Sequence, residues 1–291
     1  MIELREAQTD DELELWRSVR IAVLPYERTA SVAELRAADS FMLLAFRDGE
    51  LAGSGSAGKS DIGGGAVTPR VLSAHRRHGV GTALLHRLAS HAETCGHREV
   101  GSMVDDPESF AFAQHFGFAE TGRQVEQVRA VAAGEPWPAV PDGIEVVTLA
   151  ERPELLPRLY HELALQAFED MPTPRKVEIT VEQWETEWLN WPEGTFVAVA
   201  GDEVVGMAGL NHDADQPDRA ENTLTAVRRD WRGHGLARAL KETATAWASE
   251  HGIREIYTWT QTGNENMRAV NERLGYVTRN ISISVRRALP L

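Results

Sequence analysis

A glycine-bearing turn that opens a helix is written twice in this chain, and the repetition constrains the fold more than any other feature. Arg76-Arg77-His78-Gly79-Val80-Gly81-Thr82-Ala83-Leu84 aligns with Arg232-Gly233-His234-Gly235-Leu236-Ala237-Arg238-Ala239-Leu240. Each copy follows an apolar segment and precedes an amphipathic run; in the second, Leu236, Leu240, Ala244 and Trp247 keep the spacing of one buried helix face. Such a turn aims several backbone N–H groups at one point, where the helix dipole adds partial positive charge and seats a pyrophosphate. Gly233 and Gly235 let the backbone approach an anion without a Cβ in the way, and Arg232 adds a charge-assisted contact. Neither copy has the three glycines of a dinucleotide fingerprint or the Gly-Lys-Ser/Thr ending of a P-loop.

The elements around the turn repeat in order, which predicts two modules. Each copy reads as strand, helical segment, hairpin, strand, turn, helix, strand, short helix and long final strand. The first module spans residues 1–131, a linker rich in proline and glycine spans 132–143, and the second module spans 144–291. The second copy is longer in one place, from Gln166 to Trp191, where extra length predicts a lid or substrate wall. Trp184, Trp188 and Trp191 are expected on one helix face there, with Glu182 beside them. Core packing is the ordinary explanation of such a stripe. Exposed, Glu182, Trp184 and Trp188 would suit an amine-bearing substrate.

Composition narrows the chemistry. A net charge of −14 disfavours nonspecific nucleic-acid binding, which needs a basic face. The single cysteine, Cys95, excludes an internal disulfide and any multi-cysteine metal site, and no metal is expected. The charged start, Met1-Ile2-Glu3-Leu4-Arg5-Glu6, and the lack of a long apolar run predict a cytoplasmic protein with no membrane partner.

The run Asn264-Glu265-Asn266-Met267-Arg268-Ala269-Val270-Asn271-Glu272-Arg273-Leu274-Gly275-Tyr276, placed after the turn, helix and strand, resembles the closing signature of the GNAT superfamily of acyl-CoA-dependent N-acetyltransferases. Ser109 to Phe118 is a worn version of it in the first module. The resemblance covers nearly the whole chain as two tandem modules; tandem members include mycothiol synthases and antibiotic-tailoring acetyltransferases, and no motif here chooses among them. It implies an α/β (α+β) fold in which each module is a mixed, mostly antiparallel, splayed sheet flanked by helices. It also implies acetyl-CoA as cosubstrate, its pantetheine lying along Val227, Arg228 and Arg229. Arg232, Gly233, His234, Gly235, Leu236 and Ala237 would hold the pyrophosphate. Asn264 would reach the pantetheine arm, although a plain helix N-cap explains an asparagine there equally well.

Direct transfer needs a base for the ammonium proton, a polarised carbonyl and a route for the thiolate. Strand alternation puts Glu221, Thr223, Thr225 and Val227 on one face, which makes Glu221 the candidate base beside the thioester seat. Its other reading is a solvated carboxylate at a strand start. His212 and Asp213 are weaker candidates. In the first module Gly65 replaces Glu221 and Pro69 replaces Thr225, so that module is expected to be noncatalytic. The tyrosine that many family members use as general acid is replaced by Asn271, which can only hydrogen-bond the sulfur, and Tyr257 is an alternative acid. The expected reaction is acetylation of a primary amine on a small molecule. A cysteinyl amine is one alternative acceptor, and a noncatalytic acyl-CoA sensor is the rival of another class.

Overall fold

The structure is a computed structural model that describes every residue except 61–62, 174–175 and 213–215. The chain divides into two compact units, Met1–Gly122 with Ser282–Leu291, and Arg123–Ile281.

The first unit contains β1 (Ile2–Glu6), α1 (Asp10–Val23), α2 (Val32–Ala37), β2 (Phe41–Arg47), β3 (Glu50–Lys59), β4 (Gly65–Val67), β5 (Arg70–Val71), α3 (Val80–Thr94), β6 (Glu99–Val104) and α4 (Pro107–His115). Thr9 caps α1, where Thr9 and Glu12 form a reciprocal capping box. The apolar segment before the first turn is split into β4 and β5, with Pro69 in the gap. A proline cannot donate to the ladder, so the break falls there. On one face of the sheet Leu84, Leu85 and Leu88 of α3 pack against Leu43, Ala45 and Val100. On the other, Leu13 and Trp16 of α1 meet Leu35, Met42 and Leu44.

The second unit opens within the strand β7 (Ala119–Ala130) and continues through β8 (Glu145–Thr148), α5 (Leu156–Arg158), a π-helical stretch Leu159–Ala164, α6 (Leu165–Asp170) and α7 (Val181–Trp188). Then come β9 (Thr195–Ala200), β10 (Glu203–His212), β11 (Arg219–Val227), α8 (Leu236–Glu250), β12 (Glu255–Gln261), α9 (Glu265–Arg273) and β13 (Val277–Ala288). Strands β8 to β11 are antiparallel neighbours, and β12 joins β11 in parallel. Leu159, Leu163, Phe168 and Trp184 cover one face. Leu236, Leu240, Ala244 and Trp247 of α8 cover the other.

The ends of the sheets depart from the linear boundaries at 131 and 144. In the first unit, β6 is completed by the distal part of β13, with Ile283 opposite Val104 and Ala288 opposite Glu99. In the second unit, β12 is completed by β7, with Gln261 opposite Gln124 and Glu255 opposite Ala130. Each unit thus takes its last strand from the other module's sequence. Both are mixed, mostly antiparallel sheets flanked by helices, as expected.

Candidate active site

Strand β11 carries an irregularity that the sequence does not mark. Gly206, Met207 and Ala208 oppose Val227, Ala226 and Thr225, but Leu210 opposes Asn222, so Thr223 and Leu224 together face Gly209. That extra residue is a β-bulge, and it reverses the alternation of side chains. Ala220 and Val227 both pack with α8, and Asn222 bonds Lys241 of that helix. Leu224 and Ala226 pack with the α6–α7 wall. Thr223 turns the same way, its hydroxyl donating to the Trp188 carbonyl at 3.0 Å.

The expectation that Glu221 shares a face with Thr225 and Val227 is therefore corrected. Glu221 lies opposite Asn211, whose Oδ1 accepts from the Asn190 N–H at 3.2 Å just past α7. Glu221 and Thr223 face the helical wall, while Thr225 and Val227 face α8. The bulge sets the candidate base and the Val227 seat on opposite sides of one strand.

Beyond the bulge the sheet opens. The parallel pairing of β11 with β12 runs only from Arg219/Glu255 to Glu221/Tyr257. A cleft of about 840 Å³ begins past that point, lined by Leu224, Thr225, Ala226 and Val227 of β11 and by Asn264, Met267 and Val270 at α9. Its floor is the predicted turn, with Arg232, Gly233, Gly235, Leu236 and Ala237 among the lining residues. Gly233 and Gly235 take φ of 82° and 79°, left-handed values that favour glycine. No side chain caps α8, and no acidic residue stands in its first turn. Its first backbone bond is Ala239 N–H to Gly235 O, so the N–H groups of Leu236, Ala237 and Arg238 have no helical acceptor. That is the donor set an anion requires.

The cations around the turn are divided in use. Arg228 is committed away from the cleft, to Asp230 at 2.7 Å and Glu203 at 2.9 Å. Arg232 donates from Nε to the Val227 carbonyl at 2.9 Å, which folds it over the turn. Its other end meets Asp170 of α6 at 2.5 Å, and Arg229 meets the same carboxylate at 2.6 Å. Gln166 Oε1 accepts from the Arg229 N–H at 2.9 Å. Gln166 and Asp170 share a helix face at i, i+4, so α6 rests on the turn through that face. Arg229 and Arg232 hold the Asp170 carboxyl below the usual carboxylate range. Sequence reasoning missed Asp170, although it lies in the segment expected to form a wall.

Asn264 satisfies both of its readings, since its Oδ1 caps α9 by accepting from Met267 N–H at 3.3 Å and the residue lines the cleft. The side chain of His234 is exposed, with its ring 3.4 Å from the Trp231 carbonyl, and it does not line the cleft. Asn271 is fully buried and donates to Gln127 Oε1 at 2.9 Å and Thr260 Oγ1 at 3.4 Å. It is not among the lining residues, which removes the expected contact with the sulfur. Tyr257 is buried beneath the Arg219 guanidinium and is also not among them. Tyr276 is core, and burial pushes its phenol up.

The tryptophan stripe does not form. Helix α7 ends at Trp188, so Trp191 leaves the helical face and packs edge-on against Trp247 at 4.8 Å. Trp184 is fully buried against Tyr160, which rules it out as a substrate contact. Trp188 is half-buried and meets Phe168 edge-on. Glu182 is exposed in the first turn of α7, where its own backbone N–H lowers its carboxyl, and it is not a lining residue. His212 stacks edge-on with Trp191, and Asp213 lies outside the described residues. Among the described residues, no cluster of His, Cys, Asp or Glu could hold a metal ion, and no helix is long and apolar enough to cross a membrane.

In the first unit the corresponding turn keeps its shape, but Arg77 takes the place of Gly233 with a φ of 63°. A left-handed arginine is a costly substitution for glycine.

The family model for acetyltransferases of the GNAT family matches residues 2–118 and again 156–276. The mycothiol acetyltransferase of Geodermatophilus obscurus is 29% identical over 230 residues, covering 75% of this chain and 72% of that one. That of Saccharomonospora viridis is 26% identical over 219 residues, covering 72% and 69%. Among solved structures, a tandem GNAT protein from the clavulanic acid biosynthesis pathway superposes with a TM-score of 0.78 at 19% identity over 100% of both chains. A GCN5-related N-acetyltransferase from Sphaerobacter thermophilus gives 0.77 at 20% identity, over 99% of this chain and 95% of that one. Matched twice along most of its length, the chain belongs to the acetyltransferase (GNAT) family and is a tandem acyl-CoA-dependent N-acetyltransferase.

Proposed function

We propose that the second module transfers the acetyl group of acetyl-CoA directly to a primary amine of a small molecule, and that the first module is noncatalytic. The observation that carries this reading is the uncapped α8 N-terminus at the foot of a cleft bounded by an opened strand edge. Donors, left-handed glycines and Arg232 fit a diphosphate, and the edge of Thr225–Val227 fits an amide-bearing arm. Acetyl-CoA, when bound, supplies the activated thioester. Glu221 faces away from that seat toward the α6–α7 wall, so an amine entering from the wall side meets the carboxylate first. Glu221 is not a lining residue of the cleft, so in this reading it takes the ammonium proton through water, and the neutral amine attacks the thioester carbonyl from the cleft. Among the described residues, no tyrosine lines the cleft, so the departing thiolate is protonated by solvent. The first module lacks both the carboxylate and an unbroken strand: without the bulge its register puts Ala66, and not the expected Gly65, in the place of Glu221, and Pro69 stands in the place of Thr225.

A second reading of the acceptor, a cysteinyl amine, draws support from the similarity to two mycothiol acetyltransferases. The test is CoA release from acetyl-CoA against a panel of small amines that includes a cysteinyl amide. Glu221→Gln should lower kcat by about 10²–10⁴ while leaving acetyl-CoA affinity unchanged. Unchanged turnover in that variant would remove Glu221 from the mechanism. A wild type that binds acetyl-CoA but acetylates no amine would favour the sensor.

A further inference from the structure

Lys241 of α8 is 2% exposed, and among the described residues no carboxylate pairs with it. Its Nζ donates to Asn222 Oδ1 and lies 5.2 Å above the Tyr276 ring. Burial pushes its ammonium down to about 7. The Tyr276 phenol beneath it is neutral, and Arg129, which acts on that phenol, is held by Glu135 at 2.8 Å. Burying an amine without a counter-charge is unfavourable, and apolar residues of similar volume would be easier to accommodate.

The first unit supplies that comparison within the same chain. Matched through the strand register, with Asn222 opposite Leu210 as Val67 is opposite Ala57, Asn222 corresponds to Val67, and counted from the turn glycines Lys241 corresponds to Leu85. Leu85 is a core residue there. The first unit also lacks the bulge, since Gly53 opposite Val71 and Ala57 opposite Val67 keep one register. The fold therefore tolerates an apolar pair at these positions, and the polar pair accompanies the bulge and the cleft.

Asn222 stands at the start of the bulge and is held at four points. Its Nδ2 donates to the Gly209 carbonyl across the bulge at 2.8 Å, and its own carbonyl accepts from Thr258 Oγ1 at 2.8 Å. Its Oδ1 accepts from Lys241 and from Thr225 Oγ1 at 3.2 Å, and Thr225 lines the cleft. We propose that Lys241 is a positioning residue for acetyl transfer, acting through Asn222 to lock the β11 bulge that sends Glu221 to one face and Val227 to the other. The catalytic part of this inference rests on the function proposed above; the lock itself does not.

The test compares wild type with Lys241→Leu and with Asn222→Val/Lys241→Leu, which installs the pair, Val67 and Leu85, that the first unit already carries. Hydrogen exchange of the 222–227 amides should accelerate at least tenfold in Lys241→Leu, with no fall in Tm and no acceleration in β9 or α8. Acceptor-free CoA release from acetyl-CoA should fall at least tenfold in kcat, with KM for acetyl-CoA within about threefold. Adding Asn222→Val should add little, because both substitutions break one contact chain. Unchanged exchange at 222–227 would overturn the lock, as would a fall in Tm with acceleration throughout the unit, which is plain destabilisation. Faster exchange with undiminished CoA release would overturn the role in transfer. A wild type that releases no CoA at all would count against the proposed function, and the exchange data would still decide the lock.

Discussion

The Asp170 carboxylate holds Arg232, which the proposed function gives to a diphosphate, together with its neighbour Arg229, so the two anions compete for the cations of one turn. Asp170→Asn removes the protein's own anion and keeps the shape. The ion pairs are partly exposed, with 31% exposure at Asp170 and 46% and 50% at the arginines. Pairs of that exposure contribute about 0.2–1 kcal/mol each. Two such pairs amount to about 0.4–2 kcal/mol, which corresponds to roughly 2–30-fold in a dissociation constant. Calorimetric titration with acetyl-CoA at low ionic strength should therefore show Asp170→Asn binding about 2–30-fold more tightly than wild type. The difference should shrink in about 1 M salt, where the screening length is about 3 Å. Both arginines keep the Asp170 carboxyl below its ordinary range, so the contrast should not change across neutral pH. Weaker binding by the variant would refute the reasoning. Asp170 would then be arranging the arginines for the diphosphate instead of displacing it.

Two other predictions concern stability. Trp184→Ala should destabilise by about 3–5 kcal/mol, as expected for emptying a fully buried aromatic site, while acetyl-CoA affinity stays within threefold; urea denaturation and calorimetry would measure the two effects, and an intact midpoint with lost substrate binding would restore Trp184 to the site. Burial raises the Asp105 carboxyl from 3.8 to about 6. The folded chain then binds this proton more tightly than the unfolded one, so the associated stability is complete below about pH 4 and is lost as pH rises to about 6. At most about 3 kcal/mol is involved, and Asp105→Asn should raise the urea midpoint more at pH 7 than at pH 4. Equal shifts at both pH values would contradict the assignment.

What the sequence made legible was whatever repeats or caps. The doubled turn announced two modules, each with a glycine turn opening a helix, because glycine at a helix start has a local cause. Asn264 was readable as a cap for the same reason. The β11 bulge was not readable: one extra residue among Asn222-Thr223-Leu224-Thr225 leaves the hydrophobic pattern nearly unchanged, yet it reverses the face of Glu221. The exchange of final strands was hidden too, since β7 and β13 are long strands whose partners are chosen by distant pairing. Trp191 was misplaced because helix spacing was carried past Trp188, where the helix stops. Asn271 sits in the motif position of an acid, but its burial with Gln127 and Thr260 depends on contacts remote in sequence. Lys241 follows Leu240 on α8 and carries no sequence mark of burial; only packing shows it to be interior.

The central claim is that the second turn, and not the first, seats the cosubstrate. Gly235→Glu and Gly79→Glu are matched perturbations, since both glycines have left-handed φ, of 79° and 82°. A Cβ at Gly235 meets nothing within 4 Å and one at Gly79 meets only Ile2 at 3.5 Å, so each costs about 1–2 kcal/mol of backbone strain. Acetyl-CoA titration by calorimetry should give one equivalent bound to wild type, one to Gly79→Glu and none to Gly235→Glu. Binding that survives Gly235→Glu, or disappears in Gly79→Glu, would contradict the account.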